Sequence, residues 1–220
     1  MLALLVLVTA LGLAVGSFLN VVVHRVPRRE SPISMRYPLV ELGTAVLFGA
    51  VTGWLAGLDR LAALPAYLWF AAVGLALAVI DAGCRRLPNA LVLPSYPVLV
   101  VLLLGATLAV GDWPAMTRAG IGAVALFGLY FLLAVVHPAG MGWGDVKLSG
   151  LIGLMLGYLS WAALVVGAFA GFLLGAVAGV VVLVSRRGDR KTALPFGPFM
   201  LAGALLAMFV ADPGRPVLPG

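Results

Sequence analysis

The chain is poor in charge and in cysteine. Lys, Arg, Asp and Glu make up 10% of its 220 residues, against about 25% in a typical soluble domain. Its one cysteine, Cys84, has no partner for an internal disulfide, and a metal site built from several thiolates is excluded. With so few charges, a soluble domain is excluded as well.

Apolar residues dominate instead, at 63% of the sequence with a mean hydropathy of +1.16. Because a membrane-spanning helix takes about 20 residues, the chain has room for roughly seven or eight spans and little else. We therefore predict an all-α polytopic membrane protein in which residues 1–220 form a single membrane-embedded domain. No basic residue precedes the first apolar run, so we expect a permanent first helix rather than a cleaved signal peptide.

Eight apolar runs are bounded by charged or turn-forming residues. They lie at about 2–23, 39–58, 66–80, 91–110, 119–136, 146–160, 161–184 and 196–211. The boundary within GYLSW (157–161) is the weakest, and without it the chain would have seven spans. Glycines four residues apart, Gly49, Gly53 and Gly57 and again Gly167 to Gly179, predict closely packed helices.

Basic residues in the short loops predict the orientation in the membrane, since such residues stay on the cytoplasmic side. Eleven of the fourteen basic residues lie in the loops 24–38, 81–90, 137–147 and 185–194. The alternate loops and the tail hold Arg60, Arg118 and Arg215. The first set is therefore predicted to be cytoplasmic and both termini external, and this pattern favours eight helices over seven.

Of the eight acidic residues, five lie in loops or the tail among turn-forming or basic residues. The other three are Glu41, Asp81 and Asp145. Asp81 ends one apolar run and Asp145 begins another, so both are predicted at the cytoplasmic interface and at the same depth. Two carboxylates that share a site do not easily both ionise. One can then act as general base on a water while the other, protonated, donates to a carbonyl. Asp81 is the expected proton holder, because a helix C-terminus disfavours negative charge.

The residues alone leave several interpretations open. Interfacial aspartates are commonly helix caps or topology residues, and paired membrane acids also occur in proton- or cation-coupled transporters. A non-catalytic assembly scaffold is a third alternative. The glycines Gly140, Gly142 and Gly144 before Asp145 would permit the close backbone approach that an extended peptide substrate needs.

Several sequence blocks resemble the prepilin peptidase (type IV leader peptidase) family of GxGD membrane aspartyl proteases. GMGWGD (140–145) contains the GxGD form and continues as GDVKLSG. Four further blocks look like that family's, in its order: GSFLNVVVHRVPR (16–28), SPISMRYPLVEL (31–42), IDAGCRRLPNAL (80–91) and PFGPFM (195–200). Together they extend over nearly the whole chain.

The resemblance implies eight helices in a bacterial cytoplasmic (inner) membrane and catalysis by Asp81 and Asp145, with Gly142, Gly144 and Lys147 in the active-site loop. It implies precursors of type IV pilins or pseudopilins as partners, cleaved on the cytoplasmic face just before their apolar stretch. The bilayer is the other expected partner, and nucleic acid is not expected. No metal is needed for this activity.

The chain also departs from the family's longer members, which carry two CxxC pairs suited to zinc in the first cytoplasmic loop. The loop 24–38 is short and has no cysteine, so zinc is not expected. Longer members also N-methylate the new N-terminus with S-adenosylmethionine, an activity that the short loop leaves open here. Glu41 and Asn20 are candidates for a methyl-donor or supporting site, although Glu41 is equally compatible with a polar helix start. Ser17, Asn20 and His24 are predicted to share a helix face that bonds neighbouring helices.

Overall fold

The structure, a computed structural model, describes residues 1–25, 38–137, 141–185 and 195–211. Within these ranges the fold is all-α, as predicted, with eight α-helices and one short 3-10 helix, Leu61–Ala63. Each predicted apolar run corresponds to one helix. The α-helices are α1 (Leu2–Arg25), α2 (Leu39–Gly57), α3 (Leu64–Cys84), α4 (Asn89–Val110), α5 (Trp113–Val136), α6 (Trp143–Leu159), α7 (Trp161–Val184) and α8 (Gly197–Val210).

Helix length separates two groups. Six described segments are long and apolar enough to cross a membrane: α1, α2, α3 with its preceding 3-10 turn, α4, α5 and α7. Helices α6 and α8 have 17 and 14 residues, less than the about 20 that a full span takes. The chain is therefore a multi-pass helical membrane protein. The count of eight spans and the external termini stay predictions.

The boundary between α6 and α7 falls at Ser160. This residue has an extended backbone, φ −168° and ψ 163°, and its Oγ accepts a hydrogen bond from the Ala163 N–H at 2.9 Å. A serine in this position is a helix N-cap, because it satisfies a first-turn N–H that has no partner in its own helix. The break predicted within GYLSW is confirmed.

Helices α1 to α4 form one compact unit, residues 1–84 and 88–113. In it, α1 packs against α2 through glycines. A Cβ added at Gly12 would lie 2.7 Å from Ala45 Cα, and one at Gly16 would lie 2.6 Å from Glu41 Cα. The two backbones therefore touch without a side chain between them, which is how small residues hold membrane helices together.

The predicted glycine ladders contribute unequally to packing. In α2, a Cβ at Gly49 would lie 2.9 Å from Thr9 Oγ1, whereas Gly57 has nothing within 4 Å among the described residues. In α7, a Cβ at Gly171 would lie 3.2 Å from Met200 Cα in α8. Close packing is thus confirmed at Gly49 and Gly171 and wrong at Gly57.

Helices α5 to α8, with residues 85–87, form a second compact unit. Its most enclosed helix is α6, in which every residue from 148 to 159 is buried. Glycines again bring backbones together, since a Cβ at Gly122 of α5 would lie 2.6 Å from the Gly153 carbonyl oxygen of α6. The helix that carries Asp145 in its first turn therefore packs closely within its own unit.

Arg118 corrects one detail of the loop-charge prediction. It lies within α5 rather than in a loop, and its guanidinium donates to the carbonyl oxygens of Gly157, Tyr158 and Leu159 at 2.7, 2.8 and 3.2 Å. The last carbonyls of a helix have no N–H partner of their own. Arg118 thus caps the C-terminal end of α6, and its prediction as a loop charge is wrong.

Some predicted features lie outside the described residues. Residues 26–37 of the loop 24–38, most of the loop 185–194, Gly140 and Arg215 belong to this group. The prediction of one domain over 1–220 stays a prediction.

Candidate active site

Asp81 lies in the last turn of α3, where its side chain is buried, with 5% exposed. The helix ends at Cys84, and the next residue, Arg85, has a left-handed backbone with φ 52°. The C-terminal end of a helix carries the negative pole of its dipole. Both burial and position therefore oppose a negative charge at Asp81.

Asp145 lies in the first turn of α6, where its side chain is half-buried. The helix is capped by Gly142, whose carbonyl oxygen accepts a hydrogen bond from the Asp145 N–H at 3.0 Å. The carboxylate folds back over this cap, with Oδ2 2.9 Å from the position that a Cβ on Gly142 would take. The positive pole of the α6 dipole therefore favours a negative charge at Asp145.

The glycines before Asp145 have a packing role within the protein itself. A Cβ at Gly144 would lie 2.9 Å from Leu87 Cβ and 3.3 Å from its Cδ1. At Gly142 the space is taken by the Asp145 carboxylate. Room for a substrate backbone was the predicted reason for Gly140, Gly142 and Gly144. At Gly142 and Gly144 the space is filled by side chains of the same unit, and Gly140 lies outside the described residues.

Tyr130 of α5 is a further residue near Asp145. It is buried, with 2% exposed, and it lies within electrostatic range of the Asp145 carboxylate. Its ring packs on Phe172 and Phe196, with centroid distances of 5.1 and 6.5 Å. An aromatic cluster thus connects the site of Asp145 to α7 and to the start of α8.

A second buried acid, Glu41, pairs with Asn20. The Asn20 side-chain amide donates to Glu41 Oε1 at 2.9 Å and joins α1 to α2. Ser17, predicted to act on the same face, is exposed and donates to the Leu13 carbonyl of its own helix, so that prediction is wrong. The side chain of His24 lies outside the described residues.

Lys147 lies two residues after Asp145 on α6 and is half-buried. Its predicted place in the active-site loop stays a prediction. Sequence reasoning did not find Leu87, Tyr130 or the capping role of Arg118. The aromatic Tyr130 in the cytoplasmic half of a predicted span was the one available signal.

An apolar groove lies on the unit formed by α1 to α4. Its volume is about 680 Å³, and α1, α3 and α4 line it. It extends from Ala90 and Leu91 at the start of α4 to Leu64 and Pro65 at the start of α3. Because α4 begins where α3 ends, the groove runs along much of the length of this unit.

Comparison with known proteins decides the family. The sequence model of the type IV leader peptidase family matches residues 68–183, which include Asp81 and Asp145 and more than half of the chain.

The chain belongs to the type IV leader peptidase family.

Curated relatives agree with this family. A prepilin leader peptidase/N-methyltransferase of Pseudomonas putida is 32% identical, over 94% of this chain and 90% of the relative. A protein of the same name from Aeromonas hydrophila is 37% identical, over 83% of this chain and 61% of the relative. Another from Pseudomonas aeruginosa is 29% identical, over 92% of this chain and 89% of the relative. No solved structure matches the chain.

The P. putida alignment extends over 270 positions, more than the 220 residues of this chain. That type IV leader peptidase relative therefore has additional residues inside the matched region. The chain's single cysteine does not fit a zinc site made of two CxxC pairs.

The name of the relatives includes N-methyltransferase, and the family resemblance implies S-adenosylmethionine as methyl donor. Two buried acceptors indicate where this molecule could bind. Asn20 Oδ1 and Glu41 Oε2 have no hydrogen-bond partner among the described residues. They match the amino group of that molecule, which offers only donors.

Proposed function

We propose that this protein is a membrane aspartyl endopeptidase that removes the leader from type IV prepilin-like precursors. The observation that carries the proposal is the pair Asp81 and Asp145, two acids at helix ends within the segment that the family model matches. The relatives' name, prepilin leader peptidase, supports the substrate class.

The two aspartates act on one water and one peptide bond. The Asp145 carboxylate takes a proton from the water as its oxygen attacks the scissile carbonyl carbon, and the Asp81 carboxyl group donates a proton to the carbonyl oxygen. When the tetrahedral intermediate collapses, the C–N bond breaks, Asp145 returns its proton to the leaving nitrogen and Asp81 recovers its own from the oxygen. Both carboxyl groups end in their starting state.

The pairing of Asp81 with Asp145 is supported by the turn that follows α3. Leu87 lies in this turn and packs against Gly144, next to Asp145. The segment after the first aspartate is therefore tied to the segment before the second.

The protein is proposed to lie in the bacterial cytoplasmic membrane with its active site on the cytoplasmic face. The support is the distribution of basic residues, eleven of fourteen of which fall in one set of alternate loops or in the helix turns that border them. With both termini external, all eight helices cross the bilayer, and the short α6 crosses as a helix that is buried from residue 148 to 159.

The groove beside α3 is proposed to hold the apolar helix of the precursor. Its lining is almost wholly apolar, and its polar groups already pair with each other or with the backbone. The Ser95 hydroxyl donates to the Leu91 carbonyl at 2.7 Å, and the Trp69 indole N–H donates to Ser95 Oγ at 3.4 Å. Such a surface accepts an apolar helix, and α3 carries Asp81 at the end where the groove reaches α4. The basic leader then stays in the cytosol.

N-methylation of the new N-terminus is proposed as a second step, with S-adenosylmethionine as the methyl donor. The name of the relatives supports it, and so do the buried acceptors Asn20 Oδ1 and Glu41 Oε2, which have no partner in the described part of the chain. In this role the two side chains bind and orient the donor or the amine.

A transporter that uses the same acids is the alternative, but its acids are expected near the bilayer midplane on broken helices. Asp81 and Asp145 instead lie in terminal turns of continuous helices. We therefore favour the peptidase.

The test uses the full chain in lipid nanodiscs with a purified prepilin. Mass spectrometry of the pilin before and after incubation is expected to show loss of the leader just before the apolar stretch, and addition of S-adenosylmethionine is expected to add one methyl group. The matched control is a prepilin in which a bulky residue replaces the residue just before the cleavage site, and it should stay uncleaved. The proposal would be wrong, and the transporter favoured, if the prepilin stayed intact after long incubation and the protein carried protons into liposomes down a pH gradient.

A further inference from the structure

A buried polar contact joins α1 to α2. Glu41 is buried, with 5% exposed, in a contact between two helices that are otherwise mostly apolar. A Cβ on Gly16 would lie 2.6 Å from Glu41 Cα, so the backbones meet at this point. The carboxyl group is thus fixed at the cytoplasmic ends proposed for both helices.

Within the described part of the chain, hydrogen bonds account for only one polar atom of each side chain in this contact: Asn20 Nδ2 and Glu41 Oε1 bond each other, and one oxygen on each side chain does not bond. The Asn20 amide donates to Glu41 Oε1 at 2.9 Å. Asn20 Oδ1 and Glu41 Oε2 are both buried and have no hydrogen-bond partner among the described residues. Buried polar groups are nearly always paired, and the two atoms that lack partners here are both acceptors.

A group that completes this contact has to be a donor. A positive charge also offsets the cost of burying the carboxylate. A primary ammonium meets both needs, because it has three N–H donors and no acceptor. A guanidinium fits less well, since its planar fork matches the two oxygens of one carboxylate, whereas these acceptors belong to different side chains. Mg²⁺ and Ca²⁺ take six or more oxygen ligands, so with two protein oxygens either ion would need about four further ligands in buried, mostly apolar surroundings.

We infer that Asn20 and Glu41 form a binding site for a primary ammonium group. Asn20 Oδ1 and Glu41 Oε2 each accept one N–H from the ammonium, and the bond between Asn20 and Glu41 Oε1 holds them in place. The inference rests on the proposed function, because leader cleavage and methylation involve two molecules with this group. One is the freed N-terminus of the pilin, and the other is S-adenosylmethionine.

Binding to the purified full chain in nanodiscs tests the site. The probes are a synthetic mature pilin N-terminal peptide with its N-acetylated form, and S-adenosylmethionine with its analogue that lacks the amino group. For at least one pair, we expect the ammonium form to bind about 10- to 100-fold more tightly, the range for hydrogen bonds to a charged group. The pair that shows the difference identifies the source of the ammonium.

Glu41→Gln is the informative variant. A glutamine amide at this position can donate to Asn20 Oδ1, so we expect the variant to fold with a melting temperature no lower than that of the wild type. It is expected to lose the preference for the ammonium form. Ser17→Ala is the matched control on α1, since Ser17 is exposed and bonds only its own helix, and it should bind as the wild type does. Asn20→Leu, which removes one acceptor, gives a second test if Glu41→Gln does not accumulate.

Equal binding of ammonium and non-ammonium forms by the wild type overturns the site, as does a Glu41→Gln variant that keeps the preference. Leader cleavage is measured in the same wild-type preparation. Ammonium binding without cleavage would contradict the proposed function and leave the site standing, whereas cleavage without ammonium preference would do the reverse.

Discussion

Asp81 and Asp145 carry the same carboxyl group at opposite ends of a helix. Asp81 is buried in the last turn of α3, whereas Asp145 is half-buried in the first turn of α6 with its carboxylate over the Gly142 cap. The helix dipole opposes negative charge at the first and favours it at the second. The comparison teaches that the end of the helix at which a carboxyl group lies, together with its burial, can give two identical side chains the different electrostatic settings that an acid and a base need.

The two settings also differ in how they are held. Asp145 lies in the first turn of α6, which is buried from residue 148 to 159 and is capped at its other end by Arg118. Helix α3 lines an apolar groove before it reaches Asp81. One aspartate thus precedes a buried helical segment and the other lies on a helix with an open apolar face, as expected if one part of the protein fixes the base and the other receives the substrate.

The largest effect is expected when either carboxyl group is removed. Asp81→Asn and Asp145→Asn should each lower the rate of leader cleavage by about 10²- to 10⁴-fold, the usual contribution of a general acid or base. Initial rates with purified prepilin measure this, with helix content by circular dichroism to verify folding. Wild-type rates in both variants would remove the two aspartates from the chemistry.

A packing substitution next to Asp145 should have the next largest effect. Gly144→Val places a side chain where Leu87 lies, and overpacking of this kind costs about 1–3 kcal/mol. We expect cleavage to fall about tenfold or more, since about 1.4 kcal/mol is a factor of ten, and the melting temperature to fall with it.

The double variant Gly144→Val, Leu87→Ala separates two explanations of this glycine. If Gly144 makes room for Leu87, the smaller alanine should restore much of the cleavage rate. A double variant as slow as Gly144→Val would instead mean that Gly144 makes room for the substrate backbone.

A smaller effect is expected at the far end of α6. Arg118→Met leaves three carbonyl oxygens of Gly157, Tyr158 and Leu159 without their donor, which should lower the free energy of unfolding by about 2–4 kcal/mol. Cleavage should slow less than in the aspartate variants, because Arg118 holds the helix and not the substrate. Unfolding in mixed micelles measures the change.

Arg118→Lys is the matched control for this cap. Lysine keeps the charge but lacks the fork of donors, so the free energy of unfolding of this variant should lie between those of Arg118→Met and the wild type. A lysine variant as stable as the wild type would mean that charge alone, and not the three hydrogen bonds, stabilises the end of α6.

The smallest effect is expected in the groove. Val73→Trp fills part of the groove lined by α3 and should raise the KM for prepilin several-fold with little change in kcat, because it removes binding surface away from the carboxyl groups. Val6→Trp, at an exposed position of α1 that does not line the groove, is the control. Equal KM values for the two variants would show that the precursor helix binds elsewhere.

Much of the fold could be predicted from the sequence, because the apolar runs set the helices and Ser160 is a recognisable cap. The terminal positions of Asp81 and Asp145 followed from where these runs end and begin. The partners of Gly144 and Arg118 could not be predicted, since both contacts join residues far apart in the chain: Gly144 with Leu87, and Arg118 with the end of α6. Ser17 was predicted wrongly because helix periodicity gives a shared face but not which polar group on it meets another helix.

The most direct test of the central claim, that both aspartates act on the same peptide bond, is the residual cleavage rate of the double variant Asp81→Asn, Asp145→Asn. It is measured by mass spectrometry in single-turnover reactions with enzyme in excess, beside the two single variants. Groups that act as a unit are not additive, so the account predicts a double variant no slower than the slower single variant. A rate reduced by the product of the two single effects would show that the two carboxyl groups act independently, and would contradict the account.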